Sequence, residues 1–313
     1  MVWLIRQVKN LRNSRHMFQI ISKAKYFSTI SAILIITTGI LWITWGFNLG
    51  IDFTGGTEMN VSFGGELPTV SEIEGTLEGI GIKEAKIQTL GDNGYALRMQ
   101  DITNDQRQQI LDAYQQLQIT EESYSNIGPS LGEELRSKAV TALALVLLAI
   151  IGYVSYAFRL VSKGPVPSWV FGVGAIVALL HDVILTAGVF IVLGRYFDVQ
   201  IDSYFITALL TVLGFSVNDT IVVYDRIREK LKNRKKKTFA EIINDSINST
   251  LARSLNTSIT TLLVLFALYL FGGESIQQFV LALMIGITAG TYSSIFIASP
   301  LLLLGEKMLQ KRR

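Results

Sequence analysis

The 313 residues are half hydrophobic and 17% charged, with a mean hydropathy of +0.40 and a formal charge of +3. Those values exclude an ordinary soluble domain and point to a chain that crosses a membrane several times. No cysteine is present, which excludes disulfide staples and leaves the compartment open.

A helical span needs about 20 mostly apolar residues. Six stretches qualify: 26–47, 138–158, 168–194, 203–224, 255–272 and 276–304. The first follows a basic segment, 1–25, in the manner of a signal peptide. Its apolar core is longer than a signal h-region and no small-x-small cleavage pattern follows, so the span is read as retained. Twenty-one of the 28 basic residues fall in segment 1–25, the 159–163 connection, the 225–254 loop and the tail 305–313. On an alternating path all four lie on one side, predicted to be the cytoplasm, with both termini inside.

Residues 48–137, between the first two spans, form a polar outer domain. From Gly50 to Leu135 it carries fifteen acidic and four basic side chains, so anionic lipid and nucleic acid do not attract it. Its expected elements are strand Thr57–Phe63, helix Thr69–Ile80, strands Glu84–Leu90 and Gly94–Met99 joined by a Gly-Asp-Asn-Gly hairpin, helix Asn104–Leu117 and strand Ile119–Ile127. The order β-α-β-β-α-β predicts a small ferredoxin-like α+β domain. It holds no metal-ligand cluster, nucleophile–base set or phosphate loop, so binding or docking is expected and enzymatic chemistry is not.

Two motifs flank that domain. In GIDFTGGT, residues 50–57, Gly50, Gly55 and Gly56 permit a tight path close to other backbone, and Asp52 either caps a turn or faces a partner. A rigid exit from the bilayer is the simpler reading. In GPSLGEELR, residues 128–136, Gly128, Pro129 and Gly132 suggest a hinge and helix start, with Ser130 and Glu133 spaced as a capping box.

Three polar clusters interrupt the later spans. His181-Asp182 lies mid-span, with Asp182 about 21 Å along a helix from Ser168. Ser216, Asn218, Asp219 and Thr220 follow in the fourth span, and Asp219 lies about 10 Å inside its basic end. Ser249, Arg253, Asn256 and Thr260 share one face of the fifth. A carboxylate at membrane depth costs roughly 3 kcal/mol and is kept by a partner, a wet path or a function. Asp219 and Arg253 have compatible depths in antiparallel spans. A neighbouring guanidinium favours a carboxylate and burial favours the neutral acid, the balance a proton relay requires. Asp182, Asn218, Asn256 and Thr260 are candidate supports. The alternatives are a static hydrogen-bonding role for Asp219, snorkelling of Arg253 to the headgroups and simple packing for His181. The Lys/Arg run at 226–237 is an orientation signal beside lipid. Gly286 and Gly290 form a GxxxG whose small face Ser293, Ser294 and Ala298 extend, so helices approach there; Pro300 follows near the inner end.

These segments together, GIDFTGGT, GPSLGEELR, HDV at 181–183, GFSVNDTIVVYDRIRE at 214–229, LARSLNTSITTLL at 251–263, ALYLFGG at 267–273 and IGITAGTYSSIFIASPLL at 285–302, closely resemble the SecF family of bacterial protein-export subunits. The resemblance implies an α-helical polytopic protein, a six-span half of the RND-type transporter bundle with the small outer domain after span one. It implies pairing with SecD at the SecYEG channel in the bacterial inner membrane, with SecA, YajC and YidC as associated factors and secreted preproteins as substrate. It also implies use of the proton gradient, without a cofactor, to promote late translocation and release. The family's proton-carrying aspartate falls on Asp219 and its arginine on Arg253. Two alternatives are a small-molecule or lipid exporter of the same superfamily and a passive scaffold for SecD.

Overall fold

The computed structural model describes residues 18–159, 165–232 and 237–310. Arg6, Lys9, Arg12, Arg15, Lys163, Arg234, Lys235, Lys236, Lys311, Arg312 and Arg313, which carry part of the orientation argument, lie outside the described residues.

The chain divides into two compact units. One runs to Asn48, then covers Ala142–Val199, then continues from Tyr204; the other holds Leu49–Thr141 and Gln200–Ser203. The membrane unit is built on helices α1 (Ala24–Trp45), α5 (Pro129–Ala157), α6 (Ser168–Phe197), α7 (Ser203–Lys232), α8 (Phe239–Phe271), α9 (Glu274–Ser293) and α10 (Ser299–Gln310). A π-turn, Ser294–Ala298, joins the last two into one span. Among the described residues six helices are therefore long and apolar enough to cross a membrane. Between α1 and α5 lie α2 (Ile51–Thr54), β1 (Gly56–Phe63), α3 (Val70–Gly79), β2 (Lys86–Leu90), β3 (Gly94–Met99), α4 (Asn104–Ala113) and β4 (Ile119–Ile127).

The helices outrun the apolar stretches. Residues 225–254, expected as a loop, are helical up to Lys232 and again from Phe239. Polar sequence does not end a helix when pairs one turn apart support it. Arg228 meets Asp225 at 2.5 Å, Arg226 pairs with Glu229, and Thr238 with Glu241 forms a capping box that starts α8. At α5 the helix begins at Pro129, whose fixed φ suits a first helical position. Ser130 is thus inside the first turn, and the box expected with Glu133 does not form; the Leu131 and Gly132 amides bond instead to the Gly128 carbonyl.

In the membrane unit α6, α7 and the last span supply the interior, while α1, α5 and α8 leave most apolar side chains facing outward. Phe158, Phe171 and Tyr224 pack as a ring cluster, stacked at 5.3 Å and edge-on at 5.2 and 5.9 Å. Pro300 cannot donate to the carbonyl four residues back. The chain absorbs this with the π-turn just before it, while Ser299 Oγ donates to the Ser294 carbonyl at 3.1 Å and Tyr224 Oη to the Ala298 carbonyl at 3.0 Å.

The other unit has the sheet order β2-β3-β1-β4, all pairs antiparallel, which is the ferredoxin-like arrangement. Alternation along β1 sends Met59, Val61 and Phe63 into a core with Ile73, Leu77, Leu97 and Ile110. Glu58 and Ser62 point the other way, to Arg98 at 2.8 Å and Glu122 at 2.6 Å. Capping boxes, Thr69 with Glu72 and Thr103 with Gln106, start α3 and α4. The Thr69 backbone N–H, then its hydroxyl, hold the Glu72 carboxyl below the usual range. That contribution is present above the ordinary glutamate value and is lost as pH falls through the depressed one. Thr69→Ala is expected to cost about 1 kcal/mol, read as faster amide exchange over residues 70–73 with the sheet unchanged.

Candidate functional site

Among the described residues three buried side-chain polar atoms lack a hydrogen-bond partner: Asn60 Oδ1, His181 Nε2 and Asp219 Oδ2. The last two lie in the membrane unit, on the two carboxylate-bearing spans, and define the candidate site.

Asp182 is fully enclosed on α6. Its Oδ2 accepts from Ser216 Oγ of α7 at 2.6 Å and from Ser293 Oγ of α9 at 2.9 Å, and its Oδ1 lies 3.1 Å from His181 Nδ1. One carboxyl thus ties three spans. Thr186, a turn further along, bonds the Asp182 backbone carbonyl at 2.8 Å and leaves the carboxyl alone. The His181 ring stacks on Tyr292 at 5.8 Å, and Tyr292 Oη donates to the Phe27 carbonyl at 3.1 Å.

The last span reaches this carboxyl because of its GxxxG. A Cβ at Gly290 would stand 2.8 Å from Ser216 Cβ, and one at Gly286 would overlap the Val212 side chain. Only hydrogen at both positions lets α9 approach α7 closely enough for Ser216 and Ser293 to share an acceptor.

Asp219 sits one helical turn from Ser216 on the same buried face of α7. Ser254 Oγ of α8 donates to its Oδ1, and its Oδ2 is the unpartnered oxygen. Thr220 Oγ1 and Ser294 Oγ are 2.9 Å apart beside it. Oδ1 thus carries the Ser254 bond, and the Ser294 hydroxyl acts on the same carboxyl.

Arg253 is an exposed residue whose charge acts on Asp219 without an ion pair between them. Ser249, Arg253, Asn256 and Thr260 do share a face, yet Arg253, Asn256 and Thr260 are exposed. The inward face is Thr250, Ser254 and Ser258, with Ser258 Oγ 2.6 Å from Thr291 Oγ1. The two faces lie one residue apart, or about 100° around the helix. The signal that finds the inward face is the four-residue spacing of those three hydroxyls. Asn218 is also exposed, so of the supporting residues proposed only Asp182 points inward.

The flanking motifs meet in the other unit. Asp52 Oδ2 accepts from the Ser203 backbone N–H at 2.8 Å, and Gly50 N donates to the Ile201 carbonyl at 2.9 Å. Gly55 and Gly56 both have positive φ, and Gly132 approaches the Gly55 nitrogen closely. Gly128 and Pro129 are exposed.

The family described as protein export membrane protein SecD/SecF, C-terminal, matches residues 106–308, and the SecD/SecF GG motif matches residues 40–65. The chain belongs to the SecD/SecF family. It is 42% identical over 300 residues to the protein translocase subunit SecF of Thermobaculum terrenum, covering 90% of this chain and 91% of that one. It is 36% identical over 301 residues to the SecF subunit of Haemophilus influenzae, covering 94% and 88%. The crystal structure of SecDF, a translocon-associated membrane protein from Thermus thermophilus, superposes with a TM-score of 0.82 at 36% identity, over 96% of this chain and 39% of that chain. The SecD/SecF chain thus spans about two fifths of SecDF, with the RND-type fold of the matching part. It is a multi-pass membrane protein of the protein-export family.

Gly290→Ala is expected to push α9 off α7 and destabilise the protein by about 1–3 kcal/mol, seen as a lowered melting midpoint in detergent. Gly214→Ala, where a Cβ meets nothing within 4 Å, is the matched control and leaves the midpoint unchanged.

Proposed function

We propose that this chain is the SecF-type half of a SecD-containing complex in the bacterial plasma membrane, with both termini cytoplasmic. It takes up and releases protons at Asp219 to promote late translocation and release of secreted proteins through SecYEG. The observation that carries the reading is the open Oδ2 of Asp219, buried among hydroxyls while Ser254 holds the other oxygen. A proton bound there removes a charge from a site that lipid cannot solvate, and it shifts helix packing only if two packings hold the proton differently. Asp182, with two serine donors and the His181 ring nitrogen beside it, is the fixed companion that holds α6, α7 and α9 together around it.

Arg253 and Asn256 support the partner. They are exposed on a membrane span, where an arginine facing lipid is costly, so a second bundle of SecD type is their natural cover. In that assembly Arg253 acts on Asp219 from the partner-facing side. SecA, YajC and YidC are expected as associated factors, and the gradient itself is the energy source, with no cofactor. The small-molecule exporter has less support: residues 49–141 build one small four-stranded sheet domain.

Asp219→Asn is expected to retain copurification with SecD and to abolish the proton-gradient-dependent part of secretion, measured as export rate with the gradient intact and collapsed. Full stimulation in that variant refutes the relay. Ser254→Ala frees the second oxygen and is expected to change the pH at which stimulation is half-maximal while keeping its maximum, whereas a passive scaffold tolerates both changes.

A further inference from the structure

The last span sets two adjacent hydroxyls between the two buried carboxyls. Ser293 Oγ stands 2.9 Å from Asp182 Oδ2 and 3.2 Å from the Gly290 carbonyl. Ser294 Oγ donates to the same Gly290 carbonyl at 2.8 Å. Its neighbours on α7 are Thr220 Oγ1 at 2.9 Å, the Ser216 carbonyl at 3.4 Å and the Asp219 carboxyl. Both serines are fully buried. Each therefore divides its proton between a carbonyl of its own helix and a carboxyl of another.

The two divisions are linked. The Ser294 backbone N–H also ends on the Gly290 carbonyl, so three donors meet an oxygen with two lone pairs. A hydroxyl has one proton to give, and a bond to an ionised carboxylate is roughly twice as strong as one to a neutral acceptor. While Asp219 is ionised it takes the Ser294 proton, and the Gly290 carbonyl is open to Ser293. Once Asp219 is neutral the carbonyl is the better acceptor, Ser294 returns to it, and Ser293 is left to Asp182. Ser294 is also the residue at which α9 gives way to the π-turn. A serine bonded to the carbonyl four residues back bends its helix, so the place of this one proton bears on the junction.

Among the described residues the charged side chain acting on Asp219 is Arg253 of α8, and Ser254 of the same helix holds Oδ1. On α6 the titratable pair is His181 and Asp182, and that carboxyl is bonded by Ser216 and Ser293. Ser294 is thus the hydroxyl by which the last span meets Asp219.

We propose that Ser294 is a positioning residue whose hydroxyl proton goes to the Asp219 carboxylate when that acid is ionised and to the Gly290 carbonyl when it is neutral, so that proton occupancy resets the end of α9 and the Ser293–Asp182 bond. The role rests on the reading of Asp219 as a proton site given above.

The test uses the full chain with its SecD-type partner in lipid bilayers. Labelling with 13C-carbonyl glycine and 15N-threonine selects three peptides, Gly56–Thr57, Gly75–Thr76 and Gly290–Thr291, and the last is assigned by its loss in Gly290→Ala. The Gly290 carbonyl resonance is expected to move with pH as Asp219 titrates, and Asp219→Asn is expected to fix it at the wild-type low-pH position. In Ser294→Ala the resonance is expected to stop responding. The neutral Asp219 acid, followed by its infrared carboxyl stretch, then persists at about tenfold lower proton concentration, because one donor to the ionised form is gone. Ser294→Thr keeps the hydroxyl and is expected to stay within about twofold of wild type on the infrared midpoint, with a responsive resonance. Ser294→Cys keeps the size with a weak donor and is expected to follow alanine; it decides the matter should the threonine variant fail to accumulate. A Gly290 resonance identical at every pH and in Asp219→Asn overturns the switch. Movement that survives in Ser294→Ala overturns the part given to Ser294. Threonine behaving as alanine, or cysteine as wild type, overturns the hydroxyl role in favour of packing. Export by Asp219→Asn reports separately on the relay, and full export there leaves the resonance result standing.

Discussion

Lipid offers no hydrogen bonds, and the interior of the helix bundle is organised by that fact. Every polar group taken into it has to find a partner in another helix or remain a cost. Asp182 meets the requirement with hydroxyl donors from α7 and α9 on one oxygen and the His181 ring nitrogen against the other. Asp219 meets it by half. The two carboxyls differ in how fully the surrounding side chains satisfy them.

Close packing and polar satisfaction are the same problem here. The glycines of α9 let its serines reach Asp182, and the hydroxyl pairs Thr220–Ser294 and Ser258–Thr291 then run along the seams on either side. The end of that span follows the same logic. Pro300 removes a backbone donor, and it follows a π-turn in which Ser299 bonds the Ser294 carbonyl and Tyr224 bonds the Ala298 carbonyl. Tyr224 in turn is fixed by its aromatic cluster. A rigid frame thus surrounds a small number of adjustable hydroxyls, which suits a site whose occupancy changes packing by small steps.

The other unit solves its folding differently. Alternation of apolar and polar residues along β1 and capping boxes at two helix starts specify a small sheet with two helices. In its glycine motif backbone passes backbone too closely for any side chain.

Much of this was legible in the residues. Apolar length located six spans, period-two patterning and turn signals gave the β-α-β-β-α-β order, and an acid in an apolar run marked Asp219, because each of these is set by local sequence against a known solvent. What could not be read was azimuth and distance. Arg253 and Ser254 are adjacent in sequence, and only the packing of α8 on α7 decided that the serine faces the carboxyl and the arginine faces out. Likewise GIDFTGGT announced a tight turn, but nothing local announced that Asp52 would cap a helix 151 residues on. Solvent preference is a property of each residue and is written in the chain; the choice of partner depends on how helices rotate and approach, and that is settled only when the whole bundle closes.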